Sequence, residues 1–224
     1  MTQGLVKKIE YPIPSIVAPL TFTEALVVIR AGGLFIFPTE TFYGLGGDAL
    51  CLEAAATLVL VKGRPVDKPV LLLLGELSQL ELVAADSRSA IACVAHLAAS
   101  FWPGPLTVCL PAAAGLPREI VSAAGLVAVR VSGHPLARRL CLASGTVLMA
   151  SSANRSGQPP AVRPADLDPV LLVTTAGLLD GLPLPHGGLP STIVVPDGEA
   201  VLRLLREGAV SRQALLDMGF KVLA

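Results

Sequence analysis

A chain of 224 residues can bury a sizeable core in one domain, and a composition 53% hydrophobic and 15% charged excludes intrinsic disorder. Lys plus Arg and Asp plus Glu number 17 each, and this zero net charge argues against a dedicated nucleic-acid coat protein. Residues 89–117 carry no charged side chain, but Pro103, Gly104, Pro105 and Pro111 break the run too often for a spanning helix, so no membrane segment is expected.

The first 19 residues read as an N-terminal extension. Lys7 and Lys8 are not followed by an apolar stretch, so no signal peptide is expected and the chain is read as cytoplasmic. Thr21 or Thr23 can cap a helix that runs to Arg30 and stops at Gly32-Gly33. "LFIF" (34–37) is a short buried strand that ends in a polar, glycine-rich loop, "FPTETFYGLGG" (37–47). "CLEAAATLVLVKGR" is helical, and "PVLLLL" (69–74) is a continuous apolar strand of the kind buried on both faces.

Residues 87–101 form another helix, followed by the strands "LTVCL" and "LVAVRV". "PLARRLCLA" is a helix with Pro in its first turn, and "TVLMA" is a strand that runs into the Ser/Gly/Pro loop "SSANRSGQPPA". "VLLVTTA" reads as a strand, "STIVV" and "AVLRLL" as two more, and "SRQALLDM" as a closing capped helix. With no internal repeat and no linker, the expectation is an α/β single domain: a twisted mixed β-sheet flanked by helices.

Polar side chains gather where strands end, the usual ligand position in open α/β sheets: Thr39, Glu40, Thr41 and Tyr43, then Ser132 to His134, then Ser151, Ser152, Asn154 and Ser156. Neither G-x-G-x-x-G nor G-x-x-x-x-G-K-[ST] occurs, so a bound nucleotide would have to be held by side chains. "KGRPVDKP" (62–69) offers Lys62, Arg64 and Lys68, which either complement a helix dipole or clamp phosphates. Arg130 stands in an apolar strand where a buried cation needs an anion, and a carboxylate-bearing ligand could provide one. Cys51, Cys93, Cys109 and Cys141 lack metal-site spacing and read as reduced, mostly buried thiols. No G-x-S-x-G elbow exists; His96 is expected as a hydrogen-bonded core residue and His134 as a cap for the next helix.

Taken in order, "FPTETFYGLG", "KGRPVDKPVLLLL", "FWPGPLTVCL", "VAVRVSGHP", "SSANRSGQP" and "STIVV" followed by "LLREGAV" resemble the threonylcarbamoyl-AMP synthase family, also called the Sua5/YciO/YrdC family, in its short form. The resemblance implies a YrdC-like catalytic domain over 20–210, with 211–224 a C-terminal helix of the same domain. It implies an L-threonylcarbamoyladenylate synthase. L-threonine, bicarbonate (or CO₂) and ATP would give threonylcarbamoyl-AMP and pyrophosphate, with Mg²⁺ on the phosphates. The product would pass to a tRNA threonylcarbamoyl-transferase complex, and the chain would not bind RNA strongly by itself.

By the same resemblance Lys62 and Arg64 would hold phosphates with Lys68 assisting, Ser152 and Asn154 would contact carbamate and nucleotide, and Arg206 would approach ATP. Thr39, Tyr43, Arg130, Ser152 and Ser191 would form the threonine site, and no protein side chain is assigned to metal. Two other readings stand beside this one: an RNA- or nucleotide-binding paralogue without synthase activity, and a carbamoyl-adenylate enzyme with another acceptor.

Overall fold

The computed structural model describes residues 19–63, 70–85, 88–155 and 157–223. The strands among them are β1 (Phe35–Pro38), β2 (Tyr43–Gly46), β3 (Leu71–Leu74), β4 (Leu106–Pro111), β5 (Leu126–Val131), β6 (Leu148–Ser152), β7 (Thr192–Pro196), β8 (Val201–Arg206) and β9 (Lys221–Leu223). They form one mixed sheet in the order β1-β2-β6-β3-β5-β4-β7-β8-β9. The pairs β3–β5, β4–β7 and β8–β9 are parallel and the other neighbours antiparallel.

The helices are α1 (Phe22–Arg30), α2 (Leu52–Lys62), α3 (Arg88–Phe101), α4 (Pro135–Ser144), α5 (Pro169–Val173) and α6 (Arg212–Asp217). Local chemistry sets their ends. Thr21 and Glu24 make a reciprocal capping box at the start of α1, a feature that contributes about 1 kcal/mol. Left-handed Gly63 and Gly145 end α2 and α4, a conformation that only glycine adopts without strain.

Strand alternation explains why both faces are buried. Leu72 and Leu74 join Ile36, Leu45, Val108 and Val129 in one cluster, roofed by Leu58 of α2 and Val94 and Leu97 of α3. Leu73, between them, joins Phe35, Phe37 and Leu148 in a second cluster under α1 and α4. The mixed, helix-flanked sheet expected from the sequence is therefore present. All four cysteines are free thiols, three of them buried. Among the described residues no helix is long and apolar enough to cross a membrane.

Four local expectations are corrected. Tyr43–Gly46, read as loop, is a strand that pairs with both β1 and β6. "VLLVTTA", read as a strand, begins as helix α5, because Asp168 accepts from the Val170 N–H (2.8 Å) and Pro169 occupies the first turn. His96 is not in the core; it is exposed on α3 with its ring against Phe220, centroids 4.6 Å apart. The C-terminal segment adds strand β9 beyond helix α6, and Leu215, Phe220 and Val222 join the first cluster.

Gly46 shows how tightly the sheet is drawn together. A Cβ there would lie 1.7 Å from the carbonyl oxygen of Met149 on β6, a backbone atom that cannot step aside. Gly46→Ala is expected to lower stability by roughly 3 kcal/mol or more, read as a lower urea midpoint at unchanged m-value. A midpoint equal to wild type would show that the β2–β6 approach is looser than described.

Candidate active site

Residues in register across a sheet share a face. Leu71 is opposite both Ala128 and Ala150, Cys109 is opposite Ala128, and Leu73 is opposite Arg130. Thr107 is opposite Ile193, which is opposite Arg206. These positions lie in neighbouring rows on the face that α1 and α4 cover in part. Where the helices stop, Gly44, Ala128 and Ala150 leave a cavity of about 410 Å³, a volume within the range of small-molecule sites. The sequence suggested a site at strand ends; the cavity lies on the open part of a sheet face and takes in several of those ends, Thr39 after β1, Ser152 on β6 and Arg206 on β8.

The cavity brings together Thr39, Tyr43, Arg130, Ser152, Ser191 and Arg206, all singled out in the sequence. Thr39 Oγ1 donates to the Phe42 carbonyl (2.7 Å), which fixes the hairpin turn. Thr107 Oγ1 donates to Ser191 Oγ (2.9 Å), and Arg206 Nη2 donates to the Ser191 carbonyl (2.7 Å). Ser152 is exposed in the cavity wall. Tyr43 lines the cavity but is fully buried, and its hydroxyl donates to Asp180 Oδ1 (2.6 Å).

Arg130 is 3% exposed, and its anion turns out to be resident in the protein. Nη1 lies 2.9 Å from Glu40 Oε1, so the anion that the sequence allowed a ligand to provide is already provided by the protein. The approach is an ion pair without hydrogen-bond alignment, and neither Glu40 Oε1 nor Arg130 Nε has a hydrogen-bond partner among the described residues. Glu40 Oε2 accepts from Ser132 Oγ (3.0 Å). Burial holds the Arg130 pKa below the ordinary arginine value, and Glu40 opposes that shift. The Arg206 pKa is lowered by burial and then by the like charge of Arg130.

Lys62 and Asn154 are not in the cavity wall. The Lys62 ammonium donates to the carbonyl oxygens of Ser152 (2.6 Å) and Asn154, so it ties the end of α2 to the loop after β6. Asn154 Nδ2 donates to the carbonyls of Arg155 and Gln158, and its Oδ1 is buried without a hydrogen-bond partner among the described residues. Arg64, Lys68 and Ser156 lie outside the described residues.

Sequence reasoning passed over Thr107 and Cys109 and gave Glu40 no role. The two cavity positions were detectable as alternate residues of "LTVCL", a strand read only for its apolarity. Cys109 is no nucleophile: burial pushes its thiol pKa up to about 11. Among the described residues no three His, Cys, Asp or Glu side chains are grouped as a metal seat.

The family model Sua5_yciO_yrdC, whose description reads "Telomere recombination", matches residues 27–208. The chain belongs to the Sua5/YciO/YrdC family. It is 39% identical over 188 residues to a threonylcarbamoyl-AMP synthase of Xylella fastidiosa, a match that covers 83% of this chain and 98% of that one. A protein of the same name from Stenotrophomonas maltophilia is 39% identical over 186 residues, covering 80% and 94%. The crystal structure of P. abyssi Sua5 complexed with L-threonine superposes with a TM-score of 0.78 at 30% identity, over 92% of this chain and 61% of that longer one. E. coli YciO shares the fold, with a TM-score of 0.68 at 22% identity over 84% of this chain and 89% of that one.

His134 braces the corner that follows Arg130. The Leu136 N–H donates to Nδ1 (3.2 Å), which puts the ring proton on Nε2, where the Pro183 carbonyl accepts it (2.7 Å). Burial lowers the His134 pKa; the Pro183 carbonyl, Glu40 and Asp180 pull it up less strongly, and His186 adds a small lowering. As pH falls through the ordinary value of 6.5, the unfolded chain therefore binds a proton that folded His134 refuses. Stability is lost in that direction. Between about pH 7 and about pH 5.5 the melting temperature of wild type is expected to fall more than that of His134→Asn, which keeps a capping acceptor but does not titrate. Parallel curves would remove His134 from the acid response.

Proposed function

We propose that this chain is an L-threonylcarbamoyladenylate synthase that serves tRNA threonylcarbamoyladenosine formation. The observation that carries the reading is the cavity itself: two guanidinium groups and seven hydroxyl-bearing side chains on an open sheet face, in a family with relatives that bear that name. The L-threonine complex of P. abyssi Sua5 supports the choice of amino acid.

The chemistry needs little from the protein beyond placement. The threonine amine, as its free base, adds to the carbon of CO₂ and loses a proton, or adds to the carbon of bicarbonate and the adduct loses water; either route gives a carbamate. A carbamate oxygen attacks the α-phosphorus of ATP, the bond to the β-phosphate bridging oxygen breaks, and pyrophosphate leaves. No protein nucleophile takes part, and the rate gain comes from positioning and from charge placed where negative charge builds up. Arg130, through the Nε that lacks a hydrogen-bond partner among the described residues, would receive the threonine carboxylate, with Thr39, Ser152 and Ser191 around its hydroxyl. Arg206 would face the nucleotide. Lys62 would act through the serine loop it ties, and phosphate contacts are proposed for Lys62, Arg64 and Lys68.

Mg²⁺ is proposed as the counter-ion of the ATP phosphates. The described lining residues include no carboxylate, so among them there are no protein ligands that would hold the metal independently. Residues 20–210 are proposed as the catalytic unit, with 211–224 completing it, in the cytoplasm, without tight RNA binding of its own and with product handed to a tRNA-modifying transferase.

Pyrophosphate release from ATP and bicarbonate is expected to depend on L-threonine. Serine should be weakly active and valine nearly inert, because a site that hydrogen-bonds a hydroxyl leaves its own polar groups unpaired with valine. Arg130→Leu should lose activity by about 10²-fold or more, as expected for a charge-assisted contact at a reacting ligand. Equal rates with valine and threonine would overturn the hydroxyl pocket; threonine-independent release would overturn the synthase reading.

A further inference from the structure

The two arginines of the cavity are not equivalent. Arg130 is paired with Glu40, whereas no carboxylate lies within ion-pair distance of Arg206 among the described residues. The Arg206 guanidinium is held by uncharged groups, the carbonyl and hydroxyl of Ser191, so its full charge remains for a ligand. One end of the cavity is thus close to neutral and the other carries a net positive charge.

Glu40 is held in place from several sides. Ser132 Oγ donates to its Oε2, and the same oxygen of Ser132 accepts the His134 N–H (3.2 Å). The His186 N–H donates to the Glu40 carbonyl (3.1 Å). Gly133 leaves room for it: a Cβ there would come within 3.3 Å of Glu40 Cγ. Glu40 itself does not line the cavity, so it acts on a ligand through Arg130.

We infer that Glu40 is a specificity-determining residue that sorts the two anionic substrates between the two arginines. The inference rests on the proposed reaction, whose substrates differ in charge: the amino acid presents one carboxylate, the nucleotide a polyanionic triphosphate. A guanidinium already neutralised can accept a single carboxylate at Nε, but a dianion brought to the same place meets the Glu40 carboxylate at short range. That repulsion acts against the wrong ligand more than against the right one, which is how a fixed like charge produces selectivity. The phosphates are left to Arg206 and the threonine end stays open for the amino acid.

The test uses inorganic sulfate, a tetrahedral dianion, against the intact chain. L-threonine binding is titrated calorimetrically and threonine-dependent pyrophosphate release is measured, both with and without sulfate. In wild type, sulfate is expected to compete with ATP and not with L-threonine. In Glu40→Gln, which keeps the shape and removes the charge, sulfate should become competitive with L-threonine and weaken its apparent binding by about tenfold. Glu40→Asp, which retains the charge, should keep the wild-type pattern.

Competition between sulfate and L-threonine in wild type overturns the inference without any variant, which covers the case in which Glu40→Gln does not fold. An unchanged pattern in folded Glu40→Gln, or sulfate competition with threonine in Glu40→Asp, also overturns it. If wild type binds no L-threonine at all, the synthase reading falls and the inference with it. If wild type is threonine-dependent and only the sulfate pattern fails, the inference alone falls.

Discussion

One residue of register in the middle of the sheet governs both the fold and the site. Leu73 on β3 is opposite Arg130 on β5. That pairing sends Leu72 and Leu74 into the larger core and leaves Leu73 and Arg130 on the face of the smaller one. A slip of β5 by one position would drive a guanidinium into the packing of α2 and α3 and turn Val129 and Val131 toward the cavity. The cost of an unpaired buried charge is large enough to make that alternative unstable, so the charge that lines the cavity also pins the register.

The open part of the sheet face has a second origin in side-chain size. Where α1 and α4 pack, the face carries Phe35, Phe37, Leu73 and Leu148. Along the cavity it carries Gly44, Ala128, Ala150, Thr107 and Ser152 instead. Small and hydroxylated residues lower the apolar area that a covering helix could bury, and the same residues provide the hydrogen-bonding groups a polar ligand needs. Absence of cover and capacity to bind have one cause.

Much of this was legible in the sequence, for reasons that differ by element. "PVLLLL" is an uninterrupted apolar run and "LVAVRV" is broken only by Arg130, so both read as strands with buried faces. Thr21, Pro135 and Ser211 mark helix starts through local chemistry, and all three helices are where those signals place them. The strand Tyr43–Gly46 was hidden because Gly44 and Gly46 look like loop residues until β6 approaches closely enough to require one of them. Of the site, Thr39, Tyr43, Arg130, Ser152, Ser191 and Arg206 do meet at one cavity. Glu40 as the partner of Arg130 was beyond reach: the two are far apart in sequence, and an ion pair between hairpin turn and strand is set by tertiary packing alone.

The cavity wall has a consequence for how protons are handled. Its described lining contains no carboxylate and no histidine, its cysteine is held as a thiol, and its other polar groups are alcohols, a phenol and guanidinium. Nothing there exchanges a proton readily near neutrality. In the proposed reaction the proton leaving the threonine amine must go to bicarbonate or solvent, so the acid–base rhythm of turnover would be set by the substrates' own ionisations. Such a protein is a mould rather than a titrator, and the medium it works in supplies the base.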